Sequence, residues 1–263
     1  MRAAALPFLL CLPFALLAAV LPAAAQQELS YDEYRAIIRV AEGLLRCAMF
    51  EPLDGQPGLH LAVGDRFGKV NVYYLTGGGG RDVVWTSSQL DGNPEEVLVV
   101  DLNGDGLDDH IICRTLRRVY AWDLNANFRQ AFESSPNDFQ SIRAFTVANM
   151  DGGTANEIVL LADERIHYLD GVTFTRKWSS MYTYQATRIR CGDVDGDGRV
   201  DIVLNTGQVI DSGTGEVKWE DEVFGARIEL LDLDGDGLLE IFTESDGAPL
   251  RVYDVDRRAE KRF

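Results

Sequence analysis

Cysteine and histidine are scarce in this 263-residue chain, at four and three residues respectively. Cys11 sits in an N-terminal apolar stretch, which leaves Cys47, Cys113 and Cys191. An odd number at these spacings excludes a closed disulfide framework and matches no zinc or haem motif; buried thiols in strands are the expected state. His60, His110 and His167 are scattered, which speaks against a histidine triad or histidine metal cluster. No Gly-x-Ser-x-Gly, His-Glu-x-x-His or phosphate-loop sequence occurs, and Gly77–Gly80 precede no helical pattern, so they read as a flexible loop. Positive charge is also in short supply: the formal net charge is −17. That balance argues against nucleic acid and anionic membrane as partners.

Only the N-terminus carries a long apolar run. Arg2 supplies a small positive start, residues 3–20 are nearly uncharged, and Ala23-Ala24-Ala25 offers an A-x-A cleavage site. The expectation is a signal peptide over 1–25, an exported mature chain with a secreted or periplasmic location, and no membrane insertion after cleavage. Ser30-Tyr31-Asp32-Glu33 then forms a capping box ahead of Ile37, Ile38 and Ala41, which predicts a short helix over about 31–42 within a 26–43 segment.

Acidic side chains, by contrast, are abundant and organised. Three loops repeat one design: Asp101 to Asp109, Asp193 to Asp201, and Asp232 to Glu240. Each has oxygen side chains at loop positions 1, 3, 5 and 9 and a glycine at position 6. Calcium takes six to eight oxygen ligands, and glycine permits the sharp turn around it. A worn copy retains Asn149, Asp151 and Glu157, with Gly153 where a ligand side chain should stand.

The loops begin at 101, 149, 193 and 232, so they recur every 48, 44 and 39 residues. Short β-branched runs flank each one, such as Glu96–Val100 before the first and Ile111–Cys113 after it. Each loop therefore reads as a hairpin turn between two strands. A third strand follows and ends at Asp123, Asp170, Asp211 or Asp254. A fourth begins eight or nine residues later at Phe132, Trp178, Trp219 or Phe263. Four strands per repeat at this period predict a blade of a β-propeller. An earlier copy lies between Leu44 and Trp85, with a worn turn at Leu53-Asp54-Gly55 that has no ligand set. The expected fold is all-β: about five four-stranded blades over 44–263, starting near 44, 94, 141, 186 and 226. Either a closed five-bladed ring or an open one that pairs with another chain fits this count.

EF-hand and dockerin loops share the Asp-x-Asp-x-Asp-Gly pattern, but an EF-hand needs Glu at position 12. That position holds Ile112, Leu204 and Thr243 here, and strands rather than helices flank the loops. These residues resemble the FG-GAP and VCBS repeat family, the calcium-loop blades of integrin α-subunits and many exported bacterial proteins. Phe224-Gly225, Asp232 to Glu240 and Gly247-Ala248-Pro249 carry the closest likeness. The third-strand Asp and fourth-strand Trp are similar to those of quinoprotein-type blades. Those propellers commonly have seven or eight blades, more than this chain can hold.

About three calcium ions are expected. Side chains of Asp101, Asn103, Asp105 and Asp109 with the Leu107 carbonyl would hold one. Asp193, Asp195, Asp197 and Asp201 with the Arg199 carbonyl would hold another, and Asp232, Asp234, Asp236 and Glu240 with the Leu238 carbonyl a third. Asn149, Asp151 and Glu157 would form a fourth, weak site. The ions read as structural. Trp85, Trp178 and Trp219 fall at one repeated position and read as packing residues, whereas Trp122 does not fit that register. The expected role is a binding or scaffolding module for a protein or glycan at a propeller face, with self-association as one way to complete the ring. A propeller enzyme, such as a polysaccharide lyase or a quinoprotein-like dehydrogenase, is the alternative.

Overall fold

The computed structural model describes residues 46–50, 59–75, 81–244, 250–255 and 259–261. The expected signal peptide, the N-terminal helix, the turn at 53–55, the Gly77–Gly80 loop, Gly247–Pro249 and Phe263 lie outside the described residues.

Among the described residues, twenty strands form five four-stranded antiparallel sheets, each built from consecutive strands. Blade one contains β1 (Cys47–Phe50), β2 (Leu59–Gly64), β3 (Val70–Leu75) and β4 (Arg81–Thr86). Blade two contains β5 (Glu96–Val100), β6 (His110–Arg114), β7 (Val119–Asp123) and β8 (Arg129–Glu133). Blade three contains β9 (Ile142–Ala148), β10 (Glu157–Ala162), β11 (Arg165–Asp170) and β12 (Arg176–Ser179). Blade four contains β13 (Ile189–Gly192), β14 (Asp201–Leu204), β15 (Gln208–Asp211) and β16 (Val217–Glu220). Blade five contains β17 (Arg227–Leu231), β18 (Glu240–Glu244), β19 (Arg251–Asp254) and β20 (Ala259–Lys261).

In blades two to five the second strand carries a continuous rather than alternating apolar run, because both of its faces are covered. β10 illustrates this, with all six residues buried. Ile158 and Leu160 pack toward blade two with Ile112, Val119 and Ala121, while Val159 and Leu161 pack toward blade four with Ile189, Ile202 and Ile210. Successive side chains of a strand point to opposite faces, so one strand feeds two interfaces. Full burial of such a side chain contributes about 1.5–3 kcal/mol. Four core clusters of this kind join blades one to two, two to three, three to four and four to five. On the far face of blade five, Leu231, Phe242 and Val252 form a separate cluster. Among the described residues no core cluster joins blade five to blade one.

The fourth-strand aromatics dock across these junctions. Trp85 stacks on Phe128 of blade two at 5.1 Å, and Phe132 on Phe174 of blade three at 4.6 Å. Trp178 meets the Gly215 turn of blade four, and Trp219 packs edge-on against Tyr253 of blade five at 6.2 Å. Trp122, outside that register, is buried on the third strand of blade two, stacked on Tyr120 and edge-on to Trp85. In blades two, three and four the third strand ends where its Asp folds back on the turn. Asp170 Oδ1 accepts from Thr173 N at 2.7 Å, and Asp211 Oδ1 accepts from Thr214 N at 2.7 Å. This topology brings the acidic hairpins and the third-to-fourth-strand turns to one pole. The second-to-third-strand turns and the blade-to-blade connections lie at the other.

Candidate cation sites in the hairpin loops

Three loops share one hydrogen-bonded frame. The position-1 carboxylate accepts from the N–H groups at positions 4 and 6. Asp101 accepts from Gly104 at 2.7 Å and Gly106 at 2.8 Å, Asp193 from Gly196 at 2.8 Å and Gly198 at 2.9 Å. Asp232 does the same with Gly235 at 2.7 Å and Gly237 at 2.9 Å. The position-5 carboxylates of Asp105, Asp197 and Asp236 each accept from position 7 at 2.9 Å. Positions 4 and 6 are glycines with φ between 76° and 91° in all three loops, in the left-handed region that costs other residues strain. In the first loop position 4 has a second constraint: a Cβ on Gly104 would lie 1.5 Å from the Thr154 carbonyl of the next blade.

The position-9 carboxylates are the buried members. Asp109, Glu157, Asp201 and Glu240 are each at most 3% exposed. Position-2 N–H groups reach back to three of them, Met150 to Glu157, Val194 to Asp201 and Leu233 to Glu240. Burial pushes Asp201 up to about 6 against the opposing pull of Lys218, and burial likewise raises Asp109 against the pull of His110. Ligand oxygens of Asp193, Asp195 and Asp197 fall within 4.8 Å of one another, as do those of Asp232, Asp234 and Glu240. Like charges at that separation repel by about 3 kcal/mol at an effective dielectric of ~20. The acids of blades four and five therefore gather like charge that a cation would offset.

Two loops receive one from the protein itself. In the expected weak loop, Lys177 Nζ lies 2.8 Å from Asp151, 2.7 Å from Glu157 and 3.0 Å from Asp170. In blade four, Lys218 Nζ lies 2.8 Å from Asp195, 2.8 Å from Asp197 and 3.0 Å from Asp201. Three of the four expected ligand side chains of that loop thus already hold an ammonium. Hydrogen bonds that Lys177 donates to Asp151, Glu157 and Asp170 push it above its ordinary range; burial opposes the same shift for Lys218, but donation to Asp195, Asp197 and Asp201 outweighs it.

A β-bulge aims these lysines. Tyr168 pairs with Trp178 and Leu169 with Arg176, so Lys177 is the extra residue between them. Lys218 is the extra residue between Val217 and Trp219. The same shift occurs before Trp85 and Phe132, where the extra residues are Val84 and Ala131. A bulge opposes two residues to one and redirects the side chain of the extra residue. Blade two therefore has Ala131 where blades three and four have lysine, and Asp109 is held by His110 at 2.5 Å and Asn125 at 2.7 Å. Sequence reasoning missed both lysines, although the repeated Lys-Trp pair was their signal.

The remaining expected ligands fall as follows. Asn103 Oδ1 accepts from Asp105 N at 2.9 Å, and its Nδ2 donates to Asp105 at 3.1 Å. Leu107, Arg199 and Leu238 occupy position 7, their N–H groups bound to position 5. Asn149 donates to the Gly153 carbonyl at 2.6 Å, while its buried Oδ1 has no donor. His60, His110 and His167 lie in three different blades and form no cluster.

No family model matches the chain, and no curated protein does. Solved structures do. The chain is similar to BBS1N, solved in complex with ARL6DN, with a TM-score of 0.57 at 13% identity, covering 83% of this chain and 67% of that one. It is also similar to the WD40 β-propeller domain of Doa1, with a TM-score of 0.55 at 17% identity, covering 77% and 63% of the two chains. The fold is a β-propeller. BamB from Moraxella catarrhalis aligns over 77% of this chain and 61% of its own at 17% identity, with a TM-score of 0.46. At these identities the likeness concerns the propeller alone, and this chain spans about two thirds of the length of the structures it matches.

Proposed function

We propose that this propeller is an exported binding or scaffolding module of the FG-GAP/VCBS type, with calcium as a structural ion in its acidic hairpins. The observation that carries this reading is the common frame of the three loops. The same donors fix the position-1 and position-5 carboxylates in all three, and in blades four and five three ligand oxygens fall within 4.8 Å of one another. Export is supported by the apolar N-terminal stretch and its A-x-A site. Among the described residues, no helix is long and apolar enough to cross a membrane.

The loops do not all fit an ion equally. In blade five, Asp232, Asp234, Asp236 and Glu240 with the Leu238 carbonyl would hold calcium. In blade two, Asp101, Asn103, Asp105 and Asp109 with the Leu107 carbonyl would do so, and no lysine stands at the bulge. In blade four calcium must displace Lys218 from Asp195, Asp197 and Asp201. In blade three Lys177 takes the place of the ion. The protein thus combines metal cations with tethered ammonium ions to neutralise one pole.

Neutralised in this way, the hairpins hold adjacent blades together. Asn156 N donates to the Leu102 carbonyl at 3.0 Å and its side chain to the Asp101 carbonyl at 2.7 Å, while Leu239 N reaches the Asp193 carbonyl at 3.4 Å. Melting the chain after chelation, then after adding back calcium or magnesium, tests the reading. Calcium should restore the melting temperature, and magnesium should not, because it demands near-ideal octahedral geometry. Identical melting in all conditions would refute a structural ion.

A further inference from the structure

A second charged feature lies at the opposite pole. There the inner strands of blades one to four begin around a cavity of about 770 Å³. Arg46, Arg114, Arg143 and Arg188, one from each blade, line it, and Glu95 is the one acidic residue among the described lining. This excess of positive charge stands in a chain whose formal charge is −17.

These guanidinium groups are not equally neutralised. Arg114 is buried and bonded to Glu95 at 2.7 Å, to Glu96 at 3.2 Å and to the Ile142 carbonyl at 2.8 Å. Behind the lining, Arg190 is held by Glu229 at 2.6 Å, and Arg227 by Glu244 at 2.8 Å. Arg143 has its nearest carboxylate, Glu164, at 3.6 Å. Arg188 makes no ion pair among the described residues. One of its terminal nitrogens donates to the Thr187 carbonyl at 2.6 Å, and its Nε is buried without a partner. Burial, with Arg114, Arg190 and Arg227 close by, holds Arg188 below the usual guanidinium range, against the pull of Glu96. An unsatisfied buried donor on a charged group is costly, and a bound acceptor removes that cost.

We propose that this arginine-lined mouth binds a small molecule carrying two or more oxyanion groups, carboxylate, phosphate or sulfate. Arginine presents a planar fork of donors that matches such groups in pairs. Arg188 supplies charge that no carboxylate matches among the described residues, and Arg143, paired at 3.6 Å with the half-exposed Glu164, adds to it. Cys47, Val63, Leu116 and Ile142 give the cavity an apolar side for the carbon skeleton of the ligand. The volume lies within the ordinary range for small-molecule pockets. This site is independent of the calcium loops at the other pole.

The test is calorimetric titration of the chain, at low salt with calcium present, using sulfate and benzene-1,3,5-tricarboxylate as probes. The second probe carries three carboxylates too far apart to chelate calcium. Binding of one molecule per chain that weakens as sodium chloride rises is the expected result. Arg188→Gln and Arg143→Gln should each weaken it at least about tenfold, and Arg129→Gln on the exposed face of β8 should not. Melting curves establish that the variants fold; if Arg188→Gln does not, Arg143→Gln carries the test. Binding of the tricarboxylate is the expected result, and binding of sulfate alone, a single oxyanion group, would overturn the requirement for two or more groups. Absence of binding by either probe, or binding that survives both substitutions, would overturn the proposal.

Discussion

Lys218 Nζ lies 3.0 Å from Asp201 Oδ1, so the buried carboxylate of the blade-four loop is neutralised by the bulged residue of the same blade's outer strand. The ammonium sits among three of the oxygens that a calcium ion would use. Replacing it with an apolar side chain of similar length should open that site. Lys218→Met is expected to bind calcium in blade four at least about tenfold more tightly than the parent chain. Calorimetry of the two proteins checks this, and equal affinities would mean that Lys218 does not compete with the ion.

Lys177 has the same position in blade three but faces a poorer ligand set. Its loss leaves Glu157 buried at 0% exposure with no matching cation. Lys177→Met should destabilise the protein by about 2 kcal/mol, between the costs of breaking an exposed and a buried pair. Calcium at millimolar levels should recover part of that loss through Asn149, Asp151 and Glu157. Urea unfolding with and without calcium measures both effects.

The stack of Phe132 on Phe174 joins blades two and three. Phe174 adopts φ 57°, a strained conformation for a bulky residue, in a turn where its N–H donates to the Asp170 carbonyl at 2.8 Å. Phe132→Ala should cost about 2 kcal/mol, because the ring is only half buried. The loss should be the same with or without calcium, which separates packing at the junction from ion binding in the loops.

His167 is buried against Ser179 Oγ at 2.7 Å and the Ala162 carbonyl at 3.2 Å. Burial, with Arg176 nearby, lowers its pKa below the ordinary value of about 6.5. The unfolded chain therefore binds this proton at a higher pH than the folded chain. Stability from this group is present above about pH 6.5 and falls as the pH drops toward the folded value. His167→Gln should flatten that part of the pH–stability curve, as read by denaturant midpoints between about pH 5 and 7.

Most strands were legible because apolar runs such as Glu157–Ala162 stand between glycine- and aspartate-rich turns, and because Trp178 and Trp219 recur at one distance from Asp170 and Asp211. The inner strands begin at Cys47, Glu96, Ile142, Ile189 and Arg227, where the repeat spacing put them near 44, 94, 141, 186 and 226. The lysines were not legible as loop residues. Lys177 is 20 positions beyond Glu157, and only a bulge that shifts register by one residue turns it toward the acids. Trp122 stood outside the blade register because it faces blade one from a third strand. The arginine mouth was hidden for a topological reason: Arg46, Arg143 and Arg188 sit at the starts of inner strands, but Arg114 ends a second strand. No period in the sequence unites them.

Equilibrium dialysis after chelation, giving the calcium stoichiometry of the unmodified chain, decides whether the acidic hairpins hold structural ions. Affinities of about 10⁻⁴–10⁻³ M are usual for extracellular modules, and each site at tenfold excess adds about 1.4 kcal/mol. Two ions are expected in the loops at Asp101–Asp109 and Asp232–Glu240, with a third entering at Asp193–Asp201 only at higher calcium or in Lys218→Met. An unmodified chain that takes up no calcium would contradict this, and so would one whose Asp232→Asn, Asp234→Asn double variant binds as many ions as the parent.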